Sequence, residues 1–426
     1  MTGGTGGAVL HEEPASVGQR MLWLIERYEG AHGRLNYPLL LRLRGPLDRA
    51  QLQCAVDLLV SRHETLRTTF GRRQGMLTQF IHEPVPVSVT LAPRAESDAA
   101  LREVIAGEIA TPIDARTAPV RVTLWPVTPQ EHILCLNAHH LVTDAWSCRI
   151  LVEELLLLLG NGTGLPRPGW QYRHFVQWQR RKTTAERLRE DRAYWQRQLT
   201  GATGPRLPTR SSGAVAARAG SRSIETGVDR ACWERLRELA SAERTTPFTV
   251  LLSLYYLLLY RESGSTDLSV SSPFANRTRP EVMRTVGLFA NMLVLRTQFQ
   301  PGSSLTELLR RTRTTVSEAL THQAYPHFLP EASPSAENGT HVKDIVLQLL
   351  PELPPRVTVA GLEVEVIPPT VASRFDLELS AVAHEDGLRL LFQYSPGRMD
   401  DSLVRRLSDG AAELLHQLTE AGDLRV

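Results

Sequence analysis

Residues 137–147 read Asn-Ala-His139-His140-Leu-Val-Thr-Asp144-Ala145-Trp146-Ser147. Ahead of them, His132 to Ala138 is an apolar run of strand length; behind them, Ser147 to Leu159 is apolar and long enough for a helix. The two histidines therefore fall at a strand-to-helix junction. Successive strand side chains point to opposite faces, so if the strand persists His139 and His140 cannot share a cavity, and one of them at most is catalytic. A helix entered at Asp144 to Ser147 aims unpaired backbone N–H groups, that of Ala145 among them, back toward the histidines, where they suit a developing oxyanion.

Three other readings compete for the same residues. Two histidines at a strand end can be hydrogen-bonded core groups, with Asp144 simply capping the helix. His140 and Asp144, four apart, would converge on a metal if helical, although no third ligand stands at a recognisable spacing. Ser147 as a nucleophile lacks a GxSxG elbow and reads better as a first-turn helix residue.

Further out, Leu39 to Leu43 alternates as a strand and closes at Gly45-Pro46, and Asp48 caps a helix with the apolar stripe Leu52, Val56, Leu59 and Val60, ending at Arg62. Strands are expected at 65–70, 77–82 and 120–126, with a helix at 99–109. Residues 200–223, rich in Gly, Pro and Ser, mark a linker. Beyond it come helices at 229–242, 246–261, 305–323 and 402–420, and strands at 268–272, 345–350, 357–366, 375–383 and 388–394. Both halves mix strand and helix, so the class is α/β (α+β). The expected organisation is a flexible leader (1–15), an N-terminal lobe (16–199) carrying the histidines, the linker (200–223) and a C-terminal lobe (224–426).

The chain's 426 residues include 48 basic and 46 acidic side chains, a net +2, which argues against a nucleic-acid partner. Its 42% apolar and 22% charged content excludes wholesale disorder. The longest uncharged apolar run, Pro247 to Tyr260, has 14 residues. That is short of the roughly 20 that cross a bilayer, so a buried helix and no membrane association are expected. Cys54, Cys135, Cys148 and Cys232 show no CxxC spacing, and the first residues lack signal-peptide features, so a reduced, cytoplasmic protein is expected.

His139-His140-Leu-Val-Thr-Asp144-Ala145-Trp146-Ser147 resembles HHxxxDGxS, the signature of the condensation domains of nonribosomal peptide synthetases. Four more segments are similar to that family's motifs, in its order. Arg62-His-Glu-Thr-Leu-Arg-Thr-Thr-Phe70 resembles RHExLRTxF and Tyr172-Arg-His-Phe-Val-Gln-Trp178 resembles YxDFAxW. Val286-Gly-Leu-Phe-Ala-Asn-Met-Leu-Val-Leu-Arg296 is similar to (I/V)GxFVNTxxxR, and His322-Gln-Ala-Tyr-Pro326 to HQDxPF. The likeness runs from about Ser16 to Leu415. Met21 stands at the arginine of SxAQxRxW, Ala145 at the usual glycine, and His174 and Ala324 at aspartates. A helix-entry alanine keeps its N–H; the other three changes bear on substrate and carrier contacts.

The resemblance implies two chloramphenicol-acetyltransferase-like lobes arranged as a V with a tunnel at the junction. It implies that His140 deprotonates or orients an amine or hydroxyl attacking a thioester, with His139 and Asp144 completing the catalytic set. Asp144 is then a structural anion that needs a cationic partner. Arg277 matches the arginine the family places on the opposite lobe, with Arg62 and Arg279 as alternatives; Trp146 and Ser147 are further supporting residues. A carrier protein would deliver the donor on its phosphopantetheine arm to an acceptor that is a small molecule or carrier-bound, with no metal and no covalently held cofactor. Because neither an adenylation nor a carrier domain fits in the remaining residues, a free-standing condensation enzyme is expected. Two alternatives stay open: a related O-acyltransferase acting on a lipid or polyketide alcohol, and a noncatalytic domain that recruits a partner.

Overall fold

Strand β1 (Val9–Pro14) stands where a flexible leader is expected: its backbone pairs antiparallel with β4 (Met76–His82), which pairs in turn with β3 (Thr68–Arg73). The computed structural model describes residues 7–29, 35–160, 165, 168–202, 204, 205, 207, 221–325, 345–351, 356–367, 375–384 and 386–420. They fall into two units. The first comprises Met1–Thr184, Ala275–Ala290 and Leu353–Val371, the second Ala185–Phe274, Asn291–Glu352 and Ala372–Val426.

In the first unit, helix α1 (Val17–Glu29) follows β1. A second sheet runs, among the described residues, in the order β12 (Arg356–Val359), β13 (Leu362–Ile367), β2 (Asn36–Arg44), β7 (Glu131–His139), β6 (Val120–Thr128) and β5 (Val89–Leu91). The alternation at residues 39–43 has its reason here. Leu39, Leu41 and Leu43 enter a core with Leu52, Val56 and Leu59 of α2 (Arg49–Arg62) and Ile150, Leu151 and Leu155 of α4 (Ala145–Leu159). Leu40 joins Trp125, Ile133 and Cys135 on the other face, together with Ile109 of α3 (Asp98–Ala110). Each such leucine contributes about 2 kcal/mol relative to leaving it in water. Asp48 caps α2 by accepting the N–H groups of Ala50 and Gln51. Tyr172, Phe175 and Val176 of α5 (Tyr172–Lys182) form a smaller cluster with Val282 and Phe289.

The single strand expected at 357–366 is a hairpin. Ala360 and Gly361 both take positive φ, 48° and 79°, and turn β12 back on itself as β13. Such a turn matches the twist of the flanking strands, and glycine tolerates it without a Cβ penalty. β13 then pairs with β2, Val364 opposite Leu43. That pairing draws a late segment into the first unit, while α6 (Ala185–Leu199) clusters with the second. The units are thus not the contiguous stretches 16–199 and 224–426 expected from composition. Residues 203, 206 and 208–220 of the expected linker lie outside the described residues.

The second unit's sheet has the order β10 (Asn291–Gln298), β9 (Asp267–Phe274), β11 (Ile345–Leu350), β14 (Leu377–His384), β15 (Gly387–Tyr394) and β8 (Arg222–Asp229). Helix α8 (Pro247–Ser263) is buried from Thr249 through Leu259, which is why its apolar run has no polar face. It shares its core with α7 (Arg230–Ala242), α9 (Leu305–Thr321) and α10 (Asp401–Glu420). Among the described residues no helix is long and apolar enough to cross a membrane.

Candidate active site

β7 ends at His139, and His140 already lies in a turn, so the two imidazoles have separate surroundings. His139 is 1% exposed. Its Nδ1 accepts the Leu141 N–H at 3.1 Å, and its Nε2–H faces Glu26 of α1 at 3.3 Å. Both nitrogens are committed inside the fold. His140 is half-buried, and its Nδ1 lies 2.7 Å from the Thr143 carbonyl. A carbonyl only accepts, so Nδ1 carries the proton and the neutral ring keeps its lone pair on Nε2. Tyr37 of β2 packs on this ring, centroids 4.9 Å apart. The turn is pinned by the His140 N–H, donated to the Leu35 carbonyl at 2.7 Å, and by the buried Gln19 of α1, which donates to the Leu141 carbonyl at 3.0 Å.

Asp144 caps α4 from a buried position. Its Oδ1 accepts the Ser147 N–H at 2.8 Å, its Oδ2 accepts the N–H groups of Phe289 and Ala290 at 2.9 and 3.1 Å, and Arg277 Nη2 lies 3.3 Å from Oδ1. Four donors fill the carboxylate's lone-pair sites, which leaves none for a metal. Arg277, equally buried, also donates to the carbonyls of Val282 and Thr285 at 2.5 and 2.7 Å and to Ser147 Oγ at 3.0 Å. Its guanidinium stands 4.0 Å from the centroid of the Phe289 ring. Burial lowers the Arg277 pKa, and Asp144 opposes that shift. Ser147 Oγ donates to the Gly287 carbonyl at 2.8 Å and accepts the Gly287 N–H at 3.0 Å, so this hydroxyl ties two segments together and is not an activated nucleophile. Trp146 donates its indole N–H to the Met283 carbonyl at 3.0 Å. Ala145 opens α4, a position whose N–H has no intrahelical partner.

A family model for the condensation domain matches residues 9–426. The chain belongs to the condensation-domain family of nonribosomal peptide synthetases. It is 32% identical to malpibaldin synthetase of Mortierella alpina over 92% of this chain, and spans 7% of that much longer protein. To chondramide synthase cmdD of Chondromyces crocatus it is 30% identical over 93% of this chain, again spanning only 10% of the relative. Two solved structures share its fold. The condensation domain of the monacolin K polyketide synthase MokA has a TM-score of 0.83 at 21% identity, covering 98% of this chain and 100% of that one. The X-domain from teicoplanin biosynthesis has a TM-score of 0.82 at 24% identity, covering 98% of each chain. The chloramphenicol-acetyltransferase-like fold expected from the resemblance is therefore present.

Of the three arginines weighed for Asp144 of this condensation domain, Arg277 alone is brought to it among the described residues. It lies within the same unit as Asp144, not on an opposite lobe, because Ala275–Ala290 clusters with the N-terminal residues. Arg279 pairs with Glu281 at 2.8 Å. Arg62 pairs with the buried Glu154 of α4 at 2.8 Å, and His63 Nε2 lies 2.7 Å from the same carboxylate oxygen. Burial holds the His63 pKa below the ordinary histidine value, against the pull of Glu154. Burial raises that of Glu154, but the bonds and charges of His63 and Arg62 outweigh it and the net shift is downward.

Both downward shifts stabilise the fold at neutral pH and are lost in acid. The unfolded chain takes up a histidine proton from about pH 6.5 downward and a glutamate proton near about 4.3, while the folded state resists both. The thermal unfolding midpoint is expected to fall between pH 7 and pH 4, and His63→Asn to flatten the upper part of that fall. An unchanged slope would remove His63 as a contributor.

His174, at the position of a family aspartate, accepts the Gln171 N–H on Nδ1 at 3.1 Å and so caps α5 as a carboxylate would. Burial lowers its pKa, which favours the neutral ring that can accept. Gly287 is sterically required. A Cβ there would fall 2.2 Å from Tyr172 Cδ2 and 2.7 Å from Cγ. Tyr172 cannot readily give way, because its hydroxyl is hydrogen-bonded to Ser16 Oγ and the Leu288 carbonyl and its ring packs edge-on against Phe289. Gly287→Ala is expected to destabilise the protein by about 3 kcal/mol, read from the urea midpoint. A loss under about 0.5 kcal/mol, the size of a neutral surface change, would show that the tyrosine moves aside.

Proposed function

We propose that this domain transfers an acyl or aminoacyl group from a carrier-protein thioester to an amine or hydroxyl nucleophile, forming an amide or an ester. The observation that supports this most is the His140–Thr143 hydrogen bond, which puts the imidazole lone pair on Nε2. In the proposed step Nε2 takes the nucleophile's proton, or orients a nucleophile already neutral, as a new bond forms to the thioester carbonyl. The C–S bond then breaks, and the departing thiolate recovers a proton: from His140 where Nε2 took the nucleophile's proton, and from the newly bonded nucleophile atom itself where His140 only oriented it. The Ala145 N–H would serve the oxyanion. Asp144, Arg277 and Ser147 hold the start of α4, and His139 holds the turn.

Condensation domains act on substrates carried by phosphopantetheine, so the donor would arrive on a carrier, whether on the same polypeptide or another. The cysteines in the described residues are unpaired, which fits a reducing cytoplasm. Fold alone does not separate catalysis from partner recruitment: an X-domain of the same fold has been solved in complex with OxyB, at a TM-score of 0.82. The paired Asp144 and the tautomer of His140 favour catalysis.

The test follows product by mass spectrometry from an acyl thioester loaded on a carrier protein, with amine and hydroxyl acceptors. Basic residues here are nearly all arginine, 46 of 48. Docking of an acidic carrier should therefore weaken as the screening length falls from about 8 Å toward about 3 Å at high salt, raising the KM for the carrier-bound donor more than that for the acceptor. An equal rate with a coenzyme A thioester at every salt concentration would favour the O-acyltransferase. No product with any acceptor would favour recruitment.

A further inference from the structure

The Thr143 carbonyl fixes where His140 Nδ1 donates, but a hydrogen bond at one ring atom leaves the imidazole free to rock about its Cβ–Cγ bond, a torsion with a broad well. The sheet supplies a second contact, at the face of the ring. In the pairing of β2 with β7, Tyr37 stands opposite Ala138, and the His140 N–H bonds the Leu35 carbonyl at 2.7 Å, which carries the register one step past the end of β7. His140 therefore takes the diagonal position, two residues beyond the partner of Tyr37 and on the same face of the sheet, within reach of an aromatic side chain. Ala138 offers the phenol ring little bulk to rest on. The ring lies instead against the imidazole, with centroids 4.9 Å and planes 39° apart.

Tyr37 is itself held in place. It is half-buried, packs on the apolar core that contains Leu134, Leu136 and Val142, and its backbone belongs to the β2–β7 ladder. Gln19 and Leu35 tie the backbone of the turn, whereas Tyr37 touches the imidazole itself and reaches it from a different strand. Direction matters here because a reacting atom displaced by about 1 Å from its attack geometry costs on the order of 100-fold in rate.

We propose that Tyr37 is a positioning residue: its ring clamps one face of the imidazole, keeping Nδ1 on the Thr143 carbonyl and Nε2 on a single line of approach to the nucleophile. This rests on the reading of His140 as the group that takes or orients the nucleophile's proton. The test compares Tyr37→Leu and Tyr37→Met, which keep apolar bulk without a flat ring, with Tyr37→Phe, which keeps the ring, all in the full chain. Either of the first two that stays folded is sufficient. Spectra of the 15N-histidine-labelled protein are recorded at about pH 8, where an ordinary histidine is neutral, with the His140 signals identified by their loss in His140→Ala. Wild type and Tyr37→Phe should show one tautomer, protonated on Nδ1, and the other two variants an average of both tautomers. With a carrier-bound thioester donor, kcat should fall about ten- to a hundredfold in those two at unchanged KM and melting temperature, and Tyr37→Phe should restore most of the rate. The inference is overturned if Tyr37→Leu and Tyr37→Met keep the single tautomer, if the loss is confined to KM, which would make Tyr37 a wall of the substrate site, or if Tyr37→Phe is as slow as Tyr37→Leu. A wild-type chain that forms no product would remove the acyl-transfer reading, while the spectra would still decide whether Tyr37 holds the ring.

Discussion

His140→Ala is expected to leave a folded protein in which product formation falls by about two to four orders of magnitude, the usual worth of a positioned acid–base group. The fold should survive because His140 is half-buried and the turn's other ties, from Gln19 to the Leu141 carbonyl and from the His140 N–H to the Leu35 carbonyl, do not involve its side chain. His139→Ala should behave in the opposite way. It strands Glu26 and the Leu141 N–H around a buried hole, so loss of soluble, cooperatively unfolding protein is expected ahead of any specific loss of rate. A His140 variant with wild-type turnover, beside an inactive but native His139 variant, would reverse the two assignments.

Asp144→Ala is expected to destabilise the protein by about 3–5 kcal/mol, measured by urea denaturation, because it leaves the buried Arg277 without its anion. Loss of the cap on α4 accounts for about 1 kcal/mol of that. Asp144→Asn should cost less: its amide oxygen can still accept the Ser147 N–H and face Arg277, but its amide N–H groups are then turned toward the N–H groups of Phe289 and Ala290. Removing Arg277 together with Asp144 should recover part of the loss, a coupling of about 0.5–3 kcal/mol. Strict additivity would mean that Arg277 is held by its carbonyl partners and not by the carboxylate.

The junction at residues 137–147 was legible because one run of residues carries the strand, the cap and the apolar helix together. The burial of α8 was legible for the same reason: its apolar stretch has no polar side. What holds His140 was not. Its partner is a backbone carbonyl, and every residue has one, so no side-chain pattern could point to Thr143. Gln19 stands at the glutamine of SxAQxRxW, two residues before Met21, yet its contact with the Leu141 carbonyl spans 122 residues and has no local signature. The N–H groups of Phe289 and Ala290 reach Asp144 in the same way. β12 and β13 read as one strand because Ala360, at a positive φ, is a residue that does not announce a turn. The association of 275–290 and 353–371 with the first unit depends on sheet pairing and packing that composition does not encode.

That association also constrains biosynthesis. Asp144 waits for Phe289 across 145 residues, and Arg44 of β2 waits for Glu363 of β13 across 319. A ribosome adding about 5–20 residues per second needs on the order of tens of seconds to supply those segments. Throughout that interval the nascent chain presents β2 as an open sheet edge and the start of α4 as a carboxylate without its cation. The first unit is therefore finished late, after much of the second has been made. Its maturation belongs to the slow, high-contact-order regime in which chaperone capture competes with folding.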